Sequence, residues 1–298
     1  MARCFVTREL PGSALDRLRA AHDVEVWPGE LPPPHDELLE HARAAEGLLC
    51  LLTDTIDAEL IAACPGLRAI SNYAVGSDNI DRDAAERRGI KVSVTPDVLT
   101  DTTADLAFAL MLAAARRLPE GERDVRAGRW RNWEPRGWLG HDVHGAILCV
   151  VGMGRIGRAV ARRAEGFAME VVAVGRGDPV EPALTRADFV SIHCPLTDET
   201  RGLIGEPELR AMKPTAVLVN TARGPIVQTD ALLRALRGGW IGAAALDVTD
   251  PEPLPADHPL LEAPNLVVVP HIGSATHRTR ERMADMAVDN LLAALPPG

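Results

Sequence analysis

Three polar residues stand where apolar runs of the sequence end. Arg223 follows AVLVNTA, Glu252 lies five residues beyond Asp247 in ALDVTDPEP, and His271 follows NLVVVP. An arginine can hold a carboxylate with two hydrogen bonds, and a histidine can exchange a proton with an oxygen atom near neutral pH. A glutamate beside the histidine favours the charged imidazole and fixes its orientation. Together with a nicotinamide cofactor, these groups would suffice for reversible reduction of a 2-oxo acid.

Each of the three residues alone also has an ordinary structural interpretation. His271 could be a hydrogen-bonded residue after a strand, Glu252 a solvated charge in a proline-rich loop, and Arg223 a surface charge. The carboxyl ends of parallel strands meet at one edge of a sheet, which is where open α/β sheets bind ligands. The convergence of three such residues on one edge therefore favours an active site.

A glycine-rich turn lies in AILCVVGMGRIGRAVARRAEGF. Gly152, Gly154 and Gly157 have the G-x-G-x-x-G spacing, after a strand-like run and before a helix-like run. The first glycine permits a tight turn, the second lets the backbone approach a pyrophosphate, and the third allows close packing of the helix. The amides at the start of the helix then face the anion. The motif predicts a dinucleotide site.

The next strand, EVVAVGR, ends where an NAD site would carry an acidic residue for the ribose. Gly175 and Arg176 occupy that place, so we expect NADP(H) to be favoured, with NAD(H) still possible. Arg176 could instead be a solvated loop charge, and Asp178 would repel a phosphate if it faced the same pocket. Only residues 177–188 separate this strand from FVSIHC, close to the minimum for a parallel crossover. We therefore expect a thin wall on the adenosine side.

Short β-branched runs alternate with helical stretches along the whole chain, which predicts an α/β protein built on parallel sheets. A helix capped by Thr100 or Asp101 is apolar or small on nearly all faces from Leu106 to Ala115. It should therefore be buried, between domains or at a subunit interface. We place the first domain boundary just before this helix.

Composition and local sequence patterns disfavour several classes of protein. With 32 basic and 42 acidic residues the net charge is −10, which disfavours nucleic-acid binding. The longest apolar run is too short to span a membrane, and the N-terminus lacks a signal-peptide pattern. The five cysteines contain no C-x-x-C pair and are expected to be reduced and mostly buried, as in a cytoplasmic protein. We expect no metal site.

Six stretches of the chain resemble the D-isomer-specific 2-hydroxyacid dehydrogenase family. They are NYAVGSDNID, VLTDTTADLAFALMLAAARRLPEG, GHDVHGAILCVVGMGRIG, VNTARGPIV, ALDVTDPEPLPADHPLLEAPN and PHIGSATHRTR. The last two are most similar to the glyoxylate/hydroxypyruvate reductases of that family. The resemblance implies two doubly wound parallel-sheet domains and a homodimer. The first domain is a flavodoxin-like substrate domain (1–96 plus 275–298), and the second is an inserted Rossmann cofactor domain (97–274).

The resemblance also implies roles for individual residues. Arg223 would bind the carboxylate and carbonyl oxygen of the substrate, His271 would be the general acid in reduction, and Glu252 would support His271. The amides of Val75 and Gly76 would bind the carboxylate. The implied cofactor contacts are Asp247 beside the nicotinamide, Gly154, Arg155 and Ile156 at the pyrophosphate, and Pro195, Thr221 and Gly273 in the cleft.

Trp138, in the tryptophan-rich run RWRNWEPRGW, resembles the aromatic residue that gates the substrate from the partner subunit in glyoxylate reductases. It could equally be a buried interface tryptophan. Two other functions also stay open. One is the oxidation of a different D-2-hydroxy acid or of phosphite. The other is nucleotide sensing without catalysis, as in dehydrogenase-related transcriptional co-repressors.

Overall fold

The structure is a computed structural model that describes residues 1–296. The chain divides into two compact units. The first consists of Met1–Leu99 together with the chain from Ala275 onward, and the second of Thr100–Ser274. Both units are α/β with a parallel sheet, which confirms the predicted fold class.

The first unit has a five-stranded parallel sheet in the order β2-β1-β3-β4-β5. This is the flavodoxin-like strand order. Its strands are β1 (Arg3–Val6), β2 (Asp23–Val26), β3 (Gly47–Cys50), β4 (Ala69–Asn72) and β5 (Lys91–Ser93). Its helices are α1 (Ala14–Ala21), α2 (His35–Ala42), α3 (Ala58–Ala63), α4 (Arg82–Arg87) and, from the C-terminal segment, α11 (His277–Ala294).

Side-chain caps and a buried centre explain how these elements form. Every residue of β3 and β4 is buried, as expected for inner strands of a parallel sheet. Asp57 and Asp81 cap the short helices α3 and α4 by accepting the amides of Leu60 and Ala84. The Ser71 hydroxyl donates to a carbonyl of α11, which joins the C-terminal helix to the sheet.

The second unit has a six-stranded parallel sheet in the order β11-β10-β9-β8-β6-β7. Its strands are β6 (Ile147–Val151), β7 (Glu170–Val174), β8 (Phe189–Ile192), β9 (Val217–Asn220), β10 (Ala243–Leu246) and β11 (Leu266–Val268). Its α-helices are α5 (Thr100–Ala115), α6 (Leu118–Arg126), α7 (Arg155–Glu165), α8 (Glu181–Leu184), α9 (Glu206–Ala211) and α10 (Thr229–Gly238). Two 3-10 turns cover Gly224–Ile226 and Pro259–Glu262.

The apolar helix α5 is buried within its own unit. Phe108 and Met111 belong to a core that also includes Leu148 of β6, Val217 of β9 and Ala245 of β10. Packing on the adjacent sheet therefore accounts for the buried face of α5. No helix among residues 1–296 is both long and apolar enough to cross a membrane.

The connection between β7 and β8 is short and open. Within residues 177–188 it forms only α8, which has four residues, and residues 175–179 are all exposed. β7 is an edge strand of the sheet. Little of the chain therefore covers the β7 edge of the second sheet.

Candidate active site

His271 and Glu252 are in direct contact at the carboxyl edge of the second sheet. His271 Nδ1 lies 2.5 Å from Glu252 Oε1, and about a quarter of the histidine side chain is exposed (25%). His271 follows β11 and has a φ of 52°, in the left-handed region that is unfavourable for a residue with a Cβ. With Nδ1 engaged by the carboxylate, Nε2 is the nitrogen available to a ligand.

Asp247, just after β10, anchors the turn that carries His271. Its Oδ1 accepts the Ile272 amide at 2.6 Å and its Oδ2 accepts the Gly273 amide at 2.9 Å. Its carbonyl oxygen accepts the His271 amide at 2.9 Å. These bonds hold a backbone conformation that would otherwise cost about 1–2 kcal/mol.

Arg223 lies just after β9, in a turn shaped by Asn220. Asn220 Nδ2 donates to the Arg223 carbonyl at 2.9 Å, and Asn220 Oδ1 accepts the Ala222 amide at 3.0 Å. A Cβ on the following residue, Gly224, would lie only 1.9 Å from the Thr249 carbonyl oxygen. Glycine at position 224 therefore lets the Arg223 turn lie against the loop that leads to Glu252.

Electrostatics at the site favour a charged Glu252. Burial is the largest single effect and raises the pKa of this carboxyl, whereas the hydrogen bond and the charge of His271 lower it. The Thr249 amide and the positive charge of Arg223 lower it further, so the net shift is downward. Burial raises the pKa of Asp247, and the Ile272 amide opposes that shift. The charged form of Glu252 is thus stabilised by the neighbouring imidazole, whereas main-chain amides stabilise the charged form of Asp247.

The glycine turn has the geometry that a dinucleotide pyrophosphate requires. Gly152 has a φ of 97°, and a Cβ at Gly157 would lie 2.1 Å from the Gly152 carbonyl oxygen. A Cβ at Gly154 would meet no atom within 4 Å, so the chain leaves open space at the helix start. Arg155 and Ile156 begin the eleven-residue helix α7, whose first amides face that space. These residues fit the phosphate part of a nicotinamide dinucleotide.

Arg176 is exposed just beyond the end of β7. Asp178 Oδ2 accepts the Gly175 amide at 2.8 Å, so its carboxylate turns back to the strand end. The pKa of Glu199 is lowered, mainly by a hydrogen bond from Thr197 and also by the charge of Arg176. Arg176 is therefore close enough to the loop after β8 for its charge to act on Glu199.

The other predicted cleft residues follow strands of the same sheet. Pro195 follows β8, Thr221 follows β9, and Gly273 follows β11. The Thr221 hydroxyl lies 3.4 Å from Nδ1 of His193. Burial lowers the pKa of His193 to about 4, so this imidazole is neutral near pH 7.

Val75 and Gly76 lie in the first unit, in the loop after β4. Their amides donate to no group in the part of the chain that the structure describes. Asn72 Nδ2 donates to the Gly76 carbonyl at 2.9 Å. The loop thus offers two adjacent amide donors, and Asn72 holds the Gly76 carbonyl next to them in place.

Trp138 is partly buried, and its indole Nε1 donates to Asp124 Oδ2 at 2.8 Å. Its φ is 49°. The tryptophan is thereby fixed to α6, which carries Asp124. Trp130 and Trp133, in the same run, are mostly exposed (58% and 75%).

Sequence patterns did not identify Asn220, Thr249 or His193. Asn220 ends β9 and Thr249 belongs to ALDVTDPEP, so a polar residue at a strand end was the available signal for both. His193 ends the run FVSIH and carried the same signal. No group of three His, Cys, Asp or Glu side chains within residues 1–296 is arranged to hold a metal ion.

Comparison with known proteins identifies the family. The D-isomer specific 2-hydroxyacid dehydrogenase NAD binding domain matches residues 108–273. A glyoxylate reductase from Korarchaeum cryptofilum is 50% identical over 98% of this chain and 92% of its own length. A glyoxylate reductase from Aeropyrum pernix is 49% identical over the same shares.

Solved structures agree with this assignment. A crystal structure of a Thermus thermophilus protein matches with a TM-score of 0.93 and 52% identity, covering 98% of this chain and 96% of the other. An NADPH-dependent glyoxylate/hydroxypyruvate reductase from Sinorhizobium meliloti, in complex with NADP and malonate, matches with a TM-score of 0.88 and 32% identity, covering 100% and 94%. The resemblance noted in the sequence is confirmed, and the chain belongs to the D-isomer specific 2-hydroxyacid dehydrogenase family.

Proposed function

We propose that the protein catalyses NAD(P)H-dependent reduction of a small 2-oxo acid, glyoxylate or hydroxypyruvate, to the D-2-hydroxy acid. The contact of 2.5 Å between His271 Nδ1 and Glu252 Oε1 carries this proposal. It orients a proton donor at the sheet edge where the Arg223 turn and the glycine turn also lie. The glyoxylate reductases of K. cryptofilum and A. pernix, about half identical over nearly the whole chain, support the choice of substrate.

In this mechanism the residues of the chain bind the acid and move one proton. The cofactor supplies a hydride to C2 of the substrate when it is bound. Nε2 of protonated His271 donates to the carbonyl oxygen, which becomes the hydroxyl group, and Glu252 stabilises the imidazolium before transfer. Arg223 holds the carboxylate and polarises the carbonyl group. We also propose that the amides of Val75 and Gly76 bind the substrate carboxylate.

For the cofactor, we propose a preference for NADP(H), with Arg176 as the partner of the 2′-phosphate. The NADP complex of the S. meliloti reductase supports a phosphorylated cofactor. Asp178 and Glu199 act against a strong preference, because both place negative charge near Arg176. The remaining contacts would come from Asp247, Gly154, Arg155, Ile156, Pro195, Thr221 and Gly273.

We also propose separate roles for the two domains of the chain. Residues 1–96 with 275–298 would form the substrate domain, and residues 97–274 would form the cofactor domain. The observed division into units, at Leu99 and Ala275, supports this assignment.

The five cysteines form no disulfide, which supports a reducing, cytoplasmic compartment.

We also propose a homodimer that is formed through the segment 118–139. Five of the ten exposed large apolar side chains among residues 1–296 lie there, which marks a concentrated apolar surface. They are Leu118, Val125, Trp130, Trp133 and Leu139. Trp138 lies in the same segment and would reach the substrate site of the second subunit.

The experiment that tests the proposed reaction compares two variants with two controls. We expect His271→Ala and Arg223→Ala each to lower kcat/KM for glyoxylate with NADPH by about 10²–10⁴-fold, without loss of fold. His35→Ala and Arg237→Ala, at a partly exposed and an exposed position outside these motifs, should retain wild-type rates. Near wild-type turnover of both site variants would refute the mechanism. No wild-type turnover with any 2-oxo acid would favour a nucleotide-sensing protein.

A further inference from the structure

We propose that Asn79 is a positioning residue for the substrate carboxylate, and the inference rests on the proposed function of Val75 and Gly76. Asn79 does not touch the substrate in this proposal. It joins the loop that carries the two amides (residues 73–79) to the loop after β3 (residues 51–54).

Two side-chain amides make this connection. Asn79 Nδ2 donates to the carbonyls of Leu51 at 3.0 Å and Asp54 at 2.9 Å. Asn79 Oδ1 accepts from Asn72 Nδ2 at 2.9 Å. The second hydrogen of Asn72 Nδ2 goes to the Gly76 carbonyl, also at 2.9 Å. All four amide hydrogens of the pair are therefore used, which fixes the orientation of both side chains.

The loop after β3 is itself held firmly. Asp54 Oδ2 accepts the Leu51 amide at 2.7 Å and the hydroxyl of Thr7, at the exit of β1, at 2.5 Å. The main chain adds a bond at 2.9 Å from the Ile56 amide to the Asn79 carbonyl. Hydrogen bonds thus link the exits of three adjacent strands, β1, β3 and β4.

This hydrogen-bond network should affect the affinity for the substrate. Neither a helix nor a sheet fixes the direction of the Val75 and Gly76 amides, because both lie in a loop. The anchor on one side of them is the Gly76 carbonyl, which Asn72 holds, and Asn72 is in turn bonded to Asn79. A preorganised pair of donors binds a carboxylate more tightly than a mobile pair, because less conformational entropy is lost on binding. Loss of the Asn79 amide should therefore weaken substrate binding more than it slows the chemical step.

The decisive variant is Asn79→Asp, which keeps the size of the side chain. It replaces the donor group with an oxygen that faces the carbonyls of Leu51 and Asp54. Asn79→Ala removes the same contacts without adding charge, and it is assessed in the same way if N79D does not fold. The matched control is Asp81→Ala, which removes the cap of α4 two residues away and none of the hydrogen bonds of Asn79.

We expect N79D to raise KM for glyoxylate by about tenfold or more, the equivalent of one or two lost hydrogen bonds. Its kcat should stay within about threefold of wild type, and its Kd for NADPH, from fluorescence titration, should not change. D81A should lower Tm and leave KM unchanged. A KM within about twofold of wild type in N79D or N79A, or a loss confined to kcat, would overturn the inference. Absence of wild-type turnover would instead contradict the proposed function.

Discussion

Asp247 uses both carboxylate oxygens to hold the turn on which His271 lies. Oδ1 bonds the Ile272 amide, Oδ2 bonds the Gly273 amide, and the carbonyl oxygen bonds the amide of His271 itself. The histidine adopts a left-handed conformation there, with a φ of 52°. The orientation of the imidazole therefore depends on a buried carboxylate one strand away as well as on Glu252.

This relationship predicts the effect of Asp247→Asn. The amide can replace only one of the two charged acceptors, and a hydrogen bond to a charged group contributes about 1.5–3 kcal/mol. We expect kcat to fall by about 10–100-fold while the circular dichroism spectrum stays that of the wild type. Thr103→Val, which removes a weaker bond of 3.2 Å to the Gly273 carbonyl, is the control and should cost much less. Equal effects of the two variants would contradict this role for Asp247.

Glu252→Gln should change the pH dependence of the reaction. In the wild type the pKa of Glu252 lies below its ordinary value of 4.5, so the carboxylate acts at every pH above that value. Its contribution to stability and orientation is lost as pH falls through the lowered pKa. In the variant the imidazolium lacks its negative neighbour, so the basic limb of the kcat/KM profile for reduction should move to lower pH. A profile identical to the wild type would show that Glu252 does not act on His271.

Arg176 and Asp178 should have opposite effects on the preference for NADPH over NADH. Arg176→Ala should raise KM for NADPH by about tenfold or more and leave KM for NADH nearly unchanged, since only NADPH carries the phosphate. Asp178→Asn should lower KM for NADPH. Arg186→Ala, which removes an exposed ion pair with Glu170 in the same region, is the control. A clear NADH preference in the wild type would refute the role of Arg176.

The proposed dimer can be tested at Trp133. Trp133→Glu puts a charge into the apolar segment 118–139, and we expect sedimentation velocity to show monomers where the wild type forms dimers. Leu31→Glu is a matched control, since Leu31 is equally exposed (77% against 75%) but lies outside the segment. A wild-type monomer, or dissociation by both variants, would contradict the interface.

The sequence predicted the strands and the polar residues that follow them, because apolar runs and strand ends are local signals. The strand-like runs EVVAVGR and FVSIHC contain β7 and β8, the run before the glycine turn contains β6, and the apolar runs before Arg223 and His271 contain β9 and β11. The burial of α5 was also predicted, but its packing on the adjacent sheet was not, because the pattern of a helix does not identify the surface that covers it. The contacts of Asp247 and Asn79 depend on amides and carbonyls of distant segments, and residue type alone does not indicate such partners.

The open crossover between β7 and β8 has a practical consequence. A dinucleotide bound at the glycine turn would extend its adenine towards the exposed residues 175–179. Few residues of the chain would cover the adenine there. Its binding would then rest on the pyrophosphate, on the nicotinamide end and on the proposed contact between Arg176 and the 2′-phosphate. We therefore expect a coenzyme tethered through its adenine amino group to a polymer or resin to remain usable by this chain.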